Sequence, residues 1–435
     1  MNLIRKIITG FKLLLKRSLY IKVIKRQEKA FRNELVEHLQ ELQNKNGSHS
    51  VDAFQKYMKE KFLSGKSMSL EKSKIAYELF DDITLLILAG NNTQERIVDN
   101  LNNLDVQLFS IQEWKAMYYI INLNGYYLLA DKFREAALNC AINNYEFADK
   151  ENQKGLYFAF MAYIDQHRFD DAQKIIDSFN KRFVKLFPTD RMQFFLDTIK
   201  GRRSEKTISS KYFDEDAEKF KDIIENKTIA VVGPAPTGEQ LGEEIDSYDI
   251  VIRLNYRGKS KMPNADEFGS RIEGSYYNNE NMRNLENYDN IDFLRDLNFL
   301  GIKSITPRFA EELKKDKLTR NLFSFKDFVF FGSYNMIPIA LLDLIPFNPK
   351  SIKLFKTNFF ASHQTHAHGY RLESNLEHPI RYYWRSHTRH NLISSLNLVR
   401  GLEVNNVINV DAACMQVLNY DNDQYLGIIE NNFSS

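Results

Sequence analysis

The apolar positions change period part-way along the chain. Up to about residue 205 they recur at helical spacing; beyond about 225 they gather in short β-branched or aromatic runs. Near the start, Ile4, Ile7, Ile8, Phe11, Leu14 and Leu15 follow the i, i+3, i+4, i+7 spacing of one helix face. "EKAFRNELVEHLQELQNK" and "EKSKIAYELFDDITLLILAG" keep a helical period with charged outer faces. "TIAVVG", "DIVIRLN", "SITP", "FVFFG" and "SIKLF" read as strands. They alternate with helical stretches such as "GEQLGEEI", "FAEELKKDKLTRNL" and "MIPIALLDLI". This alternation predicts an α/β domain with a mainly parallel sheet and helices on both faces, whose ligands sit at the carboxyl ends of the strands. The expected organisation is an amphipathic helix over 1–27, an all-α domain over 28–205, a polar linker over 206–225 and the α/β domain over 226–435.

Within the helical part, "GYYLLADKFREAALNCAI" and "FMAYIDQHRFDDAQKIID" align with Phe133 over Phe169 and Ala136 over Ala172, an offset of 36 residues. Small residues let paired helices approach and aromatics fill the gap between them. The pair resembles tetratricopeptide-type helical hairpins, and an ordinary bundle is the alternative. Such a module docks a protein partner or its own neighbour and does no chemistry.

Composition narrows the picture. A chain of 435 residues with 43% apolar and 27% charged content has two or three domains and a sizeable core. Net charge is +2, so no nucleic acid is expected as a partner and any basic patch is local. The first 27 residues are such a patch: eight Lys and Arg, among them Arg5, Lys6, Lys12, Lys16 and Arg17, and no acid. A basic amphipathic helix either lies on an anionic membrane surface or packs on the protein with its basic face solvated. No run of about 18 apolar residues spans a bilayer. Two distant cysteines, Cys140 and Cys414, suit a reducing cytosol.

The stretch "AVVGPAPTGEQLGEEIDSYDIVIRLN" carries the candidate chemistry. Gly233 ends a buried strand where the backbone must be approached closely. Pro234 and Pro236 stiffen the loop, Ala235 continues it, and Thr237 can cap a helix starting near Gly238. "DIVIRLN" brings Arg253 and Asn255 to the same edge. The loop matches neither G-x-G-x-x-G nor a Walker loop, so its residues are compatible with a phosphate site or with a plain strand–turn–helix joint.

With its order of segments, this half resembles the eukaryotic-type sialyltransferase family. Gly233, Ile245, Asp246, Asp249, Val251, Arg253 and Asn255 fall in register with the family's L motif, and "ADEFGSR" with the element that follows it. "FGSYNMIPIALLDLIPFNPKSIKLFKTNFF" resembles the S motif. "RYYW" is similar to the aromatic third motif, and "SHTRHNLISSLNLVRGLEVNNVINVD" to the C-terminal motif, with His387 and Gly401 in its His and Gly places. Pro234 stands where the family has Asn, Tyr248 where it has His, and Ile229 where it has a disulfide Cys. The family's Glu after the C-terminal His is not found in "HTRHNL".

The resemblance implies a Rossmann-like domain that transfers a sugar from a CMP-activated donor with inversion and without a metal or other cofactor. It implies donor contacts from Gly233, Pro234, Ala235, Thr237, Arg253 and Asn255, and from Gly332, Ser333, Tyr334 and Asn335 of the S-like loop. His387 would be the general base on the acceptor hydroxyl, a task that suits a group titrating near neutrality. His363, His366 and His368 in "FFASHQTHAHGY" are candidate acceptor contacts or alternative bases, or simply an exposed polar loop; a metal site is the least fitting use of that spacing. Arg371, Arg381, Arg385 and Arg389 are candidate contacts to the donor carboxylate or an anionic acceptor, or part of a charge-balanced surface. The expected partners are a CMP-activated acidic sugar (sialic acid, another nonulosonate or Kdo), a glycan or glycolipid acceptor of capsule or lipopolysaccharide, and the inner surface of a bacterial membrane. Two other readings stand beside this one: a UDP- or GDP-sugar transferase, with "DND" (Asp421–Asp423) as a poorly placed metal motif, and a helical scaffold with a degenerate α/β domain.

Overall fold

The computed structural model describes residues 48–90, 92–147, 153–178, 189–202, 216–278, 292–303, 318–322, 325–362, 364, 366–367, 370 and 390–433. The amino-terminal basic helix, "SITP", "RYYW", His363, His368, His387 and the four arginines Arg371, Arg381, Arg385 and Arg389 lie outside them. Two compact units divide the chain, the first ending near Thr189 and the second holding Asp190–Phe433.

The first unit is helical: α1 (Ser48–Leu63), α2 (Leu70–Ala89), α3 (Gln94–Asn102), α4 (Ile111–Leu123), α5 (Tyr127–Phe147), α6 (Gln153–Asp165) and α7 (Phe169–Ser178). Helix α4 starts at a capping box, in which Ser110 Oγ accepts the Glu113 amide and Glu113 Oε2 accepts the Ser110 amide at 2.7 Å. An aromatic chain fills the core: Phe62 on Phe80, Phe80 on Phe109, Phe109 on Trp114, with centroids 5.0–5.8 Å apart. Helices α4 and α5 pack as a pair and α6 and α7 follow in sequence, but the 36-residue alignment does not superimpose them. Phe133 lies inside α5, whereas Phe169 opens α7. The matching helix starts, Tyr127 and Phe169, are 42 residues apart, and on that spacing the fully buried Ala130 and Ala172 coincide.

The second unit is an α/β domain. Among the described residues, β1 (Thr228–Val232), β2 (Ile250–Leu254), β3 (Gly274–Tyr277), β4 (Phe299–Ile302), β5 (Leu318–Asn321), β6 (Ser351–Phe355) and β7 (Asn409–Val410) form one sheet in the order β5-β4-β3-β2-β1-β6-β7. Every pairing is parallel. Strand β2 is buried throughout and β1 in all but its first residue, as expected of parallel strands covered on both faces. The chain winds outward from β1 to β5 and returns beside β1 as β6. The switch point is therefore the crevice at the carboxyl ends of β1 and β6, where ligands of such sheets bind. The described residues of the unit also hold helices α8 (Thr189–Ile199), α9 (Ala217–Ile224), α10 (Gly242–Asp246), α11 (Ala265–Phe268), α12 (Met336–Leu344), α13 (Leu392–Val404), α14 (Ala412–Leu418) and α15 (Asn422–Phe433).

Three sequence expectations are corrected. "FVFFG" is not a strand: Phe325–Phe328 form a 3₁₀ turn, Phe328 stacks on Phe195 at 5.3 Å, and the run ends in a loop. A short apolar run signals burial, and tertiary contacts decide its backbone. "LTRN" is not the end of a helix but strand β5. Its charge is hidden because Arg320, 2% exposed, donates to Asp343 Oδ1 at 2.8 Å and lies over the rings of Phe220 and Phe347. The helix expected from Gly238 begins only at Gly242, since Gly238 has φ +77°, outside helical space.

Candidate functional site

The tips of β1 and β2 lie side by side, with Val232 paired to Arg253. Gly233, Pro234, Arg253 and Asn255 border one cavity at the carboxyl edge of the sheet, together with Arg257, Lys261 and Tyr370. It is small, about 50 Å³. The segment after β6 closes over it: the Ala367 amide donates to the Pro234 carbonyl at 2.6 Å, and Asn255 Nδ2 donates to the Tyr370 carbonyl at 2.9 Å. His366 belongs to this cover, its ring 4.9 Å from that of Tyr370 and 6.2 Å from Phe360.

The loop after β1 holds an anion, and it is the protein's own. The amides of Thr237 and Gly238 both donate to Glu267 Oε1 at 3.1 Å. Lys356, wholly buried just past β6, donates to Glu267 Oε1 at 3.2 Å, to Thr237 Oγ1 at 2.9 Å and to the Glu239 carbonyl at 2.6 Å. The Ala235 amide donates to the Lys356 carbonyl. So the backbone donors of Ala235, Thr237 and Gly238 are engaged within the fold. Gly233 serves the same packing: a Cβ there would meet Thr357 Oγ1 at 2.2 Å and the Lys356 carbonyl at 2.5 Å. The close approach that demands glycine is between β1 and the exit of β6.

The other L-like residues are also scaffolding. Asp249 Oδ2 accepts the amide and hydroxyl of Thr228 at 2.8 Å, tying the starts of β1 and β2 together. Asp246 accepts the Ser270 and Arg271 amides and the Ser270 hydroxyl. Burial works to raise its carboxyl, but these bonds outweigh it and hold the group below the usual carboxylate range. Arg271 forks onto the carbonyls of Asp246, Tyr248 and Asp249. The Arg253 guanidinium donates to the carbonyls of Phe268 and Arg271, and burial pushes it down to about 10, against the pull of Asp246 and Glu273.

A second cluster stands at the start of two helices. Helices α12 and α13 each return the chain to begin the next parallel strand, so their N-termini face the carboxyl edge. Gly332 and Ser333 form isolated bridges with His390. His390 Nδ1 is 3.3 Å from both Ser333 Oγ and the Ser333 carbonyl. Asn335 caps α12 through the Ile337 amide, Asn391 caps α13 through the Ser394 amide, and Tyr334 is buried. Gly332, Ser333, Tyr334 and Asn335 do not border the cavity at β1 and β2.

His390, Glu267, Lys356, Arg257 and Lys261 were not singled out from sequence. A signal existed for three: His390 shares the "SHTRHN" stretch, and Arg257 and Lys261 form a basic tail, "NYRGKSK", directly after Asn255. Glu267 and Lys356 carry no local signal, because their meeting depends on α11 and β6 arriving at one loop. "DND" is a helix start: Asp421 Oδ1 accepts the Gln424 amide and Gln424 Oε1 accepts the Asp421 amide.

No protein-family model and no curated protein matches this sequence. Among solved structures, the chain is similar to a mammalian sialyltransferase crystallised in complex with Gal-beta-1-3GalNAc-ortho-nitrophenol. The two share 14% identity at a TM-score of 0.31, over 50% of this chain and 79% of the other. Among the described residues, no helix is long and apolar enough to cross a membrane.

Proposed function

We propose that the second unit is a glycosyltransferase that takes an acidic sugar from a CMP-activated donor and extends a cell-surface glycan at the inner face of a bacterial membrane. The reading is supported chiefly by one observation: Gly233 and Pro234 at the exit of β1, and Arg253 and Asn255 at the exit of β2, border a single cavity next to the topological switch point of a parallel sheet. The nucleotide enters over the tips of β1 and β2. Its departing phosphate needs charge stabilisation and no proton, so positive groups and hydroxyls suffice in place of an acid or a metal. The acceptor hydroxyl loses its proton to a histidine of the 387–390 stretch, with Ser333 and its neighbours on the sugar side. The amino-terminal basic helix brings the enzyme to a lipid-anchored acceptor.

Added CMP should raise the melting temperature by several degrees, and UMP or GMP much less; equal responses, or none, would sink the reading. Transfer from CMP-sialic acid and CMP-Kdo is then compared in His387→Ala and His390→Ala. The variant that keeps donor hydrolysis and loses transfer identifies the base.

The non-enzymatic reading is favoured by one observation as well. The loop amides that would greet a donor phosphate are already bonded to Glu267. A scaffold of that kind would respond to no nucleotide.

A further inference from the structure

With the strand-loop amides engaged by Glu267, an anion over β1 and β2 must find its countercharge elsewhere in the cavity wall. Among the described residues, the wall holds three cations, Arg253, Arg257 and Lys261, and none of those bordering the cavity is an Asp or Glu. Arg253 is buried, with its guanidinium against the carbonyls of Phe268 and Arg271. Arg257 is half-buried and Lys261 exposed. Both are brought round by one backbone device. Gly258 takes φ +99°, and the Lys261 amide then bonds back to the Gly258 carbonyl at 3.0 Å, closing a 3₁₀ turn over Lys259–Lys261. A Cβ on Gly258 would meet Phe293 Cβ at 3.1 Å, so the turn is pressed against its neighbour and the two cations keep their place at the rim.

We infer that Arg257 and Lys261 form the phosphate-binding wall of this cavity, taking the part that backbone amides play in loops of the Gly-rich kind. This rests on the CMP-donor reading for the identity of the phosphate. The chemistry suits it: a guanidinium fork orients a phosphate bidentately, and an ammonium on a flexible stem closes on it as a point charge. The nucleoside then lies toward Gly233 and Pro234, where the wall is uncharged.

The test compares CMP with cytidine, which lacks the phosphate, on the full chain by titration calorimetry. Wild type should bind CMP about tenfold or more tightly than cytidine. Lys261→Ala and Arg257→Gln should each close most of that gap and leave cytidine binding unchanged. Lys259→Ala removes the same charge from the same turn at a residue that does not border the cavity, and should leave the gap intact. Arg257→Lys serves as a second variant if Arg257→Gln does not fold. A gap that persists in the Lys261 and Arg257 variants overturns the inference while the donor reading stands. If wild type binds neither compound, the donor reading fails, and the wall is judged with inorganic pyrophosphate. Binding lost in both variants and kept in Lys259→Ala sustains the wall; no binding by wild type overturns it too.

Discussion

Asp246 shows how one carboxylate can hold a junction. It accepts two amides and a hydroxyl from Ser270 and Arg271, and Gly269 packs so close that a Cβ would lie 2.4 Å from its Oδ1. Its folded-state acidity is greater than that of the free side chain, so its contribution is present above the unfolded pKa and is lost as pH falls through the folded one. Asp246→Asn should cost about 1 kcal/mol at pH 7, the worth of a charge-assisted bond at a partly solvated site. The difference from wild type should shrink below about pH 4, as the ordinary carboxylate range is crossed. Urea denaturation at pH 7 and at pH 3.5 checks both the size and the sign.

Between elements, the decisive contact is the one joining the β1 exit to the β6 exit. The Lys356 amide donates to Asp411 Oδ2 at 2.7 Å, its carbonyl accepts the Ala235 amide, and its ammonium donates to Glu267. Burial raises the Asp411 carboxyl, and the Lys356 and Cys414 amides pull it back. One buried residue, through its backbone and its ammonium, thus links β6, α11 and the start of α14 to the β1 loop. Gly233 lets the backbones meet there. Gly233→Ala would drive its methyl into Lys356 backbone, which cannot swing away as a flexible side chain would. A loss of about 2 kcal/mol or more is expected, read as a lowered melting temperature, with weakened CMP response at any temperature where the variant is folded. An unchanged melting temperature would mean that the β6 exit gives way freely.

For the molecule as a whole, the topology gathers the candidate site at one edge of the sheet. Hydrogen exchange with and without CMP should show slowed exchange over 230–238 and 253–262, and no change over α4 and α5 in the first unit. Protection confined to the helical unit would move the nucleotide site out of the sheet altogether.

How much of this was legible beforehand follows from the range of the forces involved. Periodicity is a local quantity, so the helical first half, the parallel α/β second half, strands β1, β2 and β6, and helix α12 could all be read from spacing. The tips of β1 and β2 were legible as neighbours for the same reason, since two buried strands joined by a short helical crossover pair in parallel. Three things were not. "LTRN" hides a buried charge whose partner, Asp343, is far along the chain. "FVFFG" is apolar because aromatic neighbours cover it, whatever its backbone does. The loop amides look open in sequence because nothing near them announces Glu267, which α11 delivers, or Lys356, which β6 delivers. Composition and period therefore determined the architecture and the edge of the sheet where chemistry belongs. Which polar groups at that edge are satisfied internally and which face a ligand was decided only when distant segments met, because a hydrogen bond is a contact between partners and half of each pair lies elsewhere in the chain.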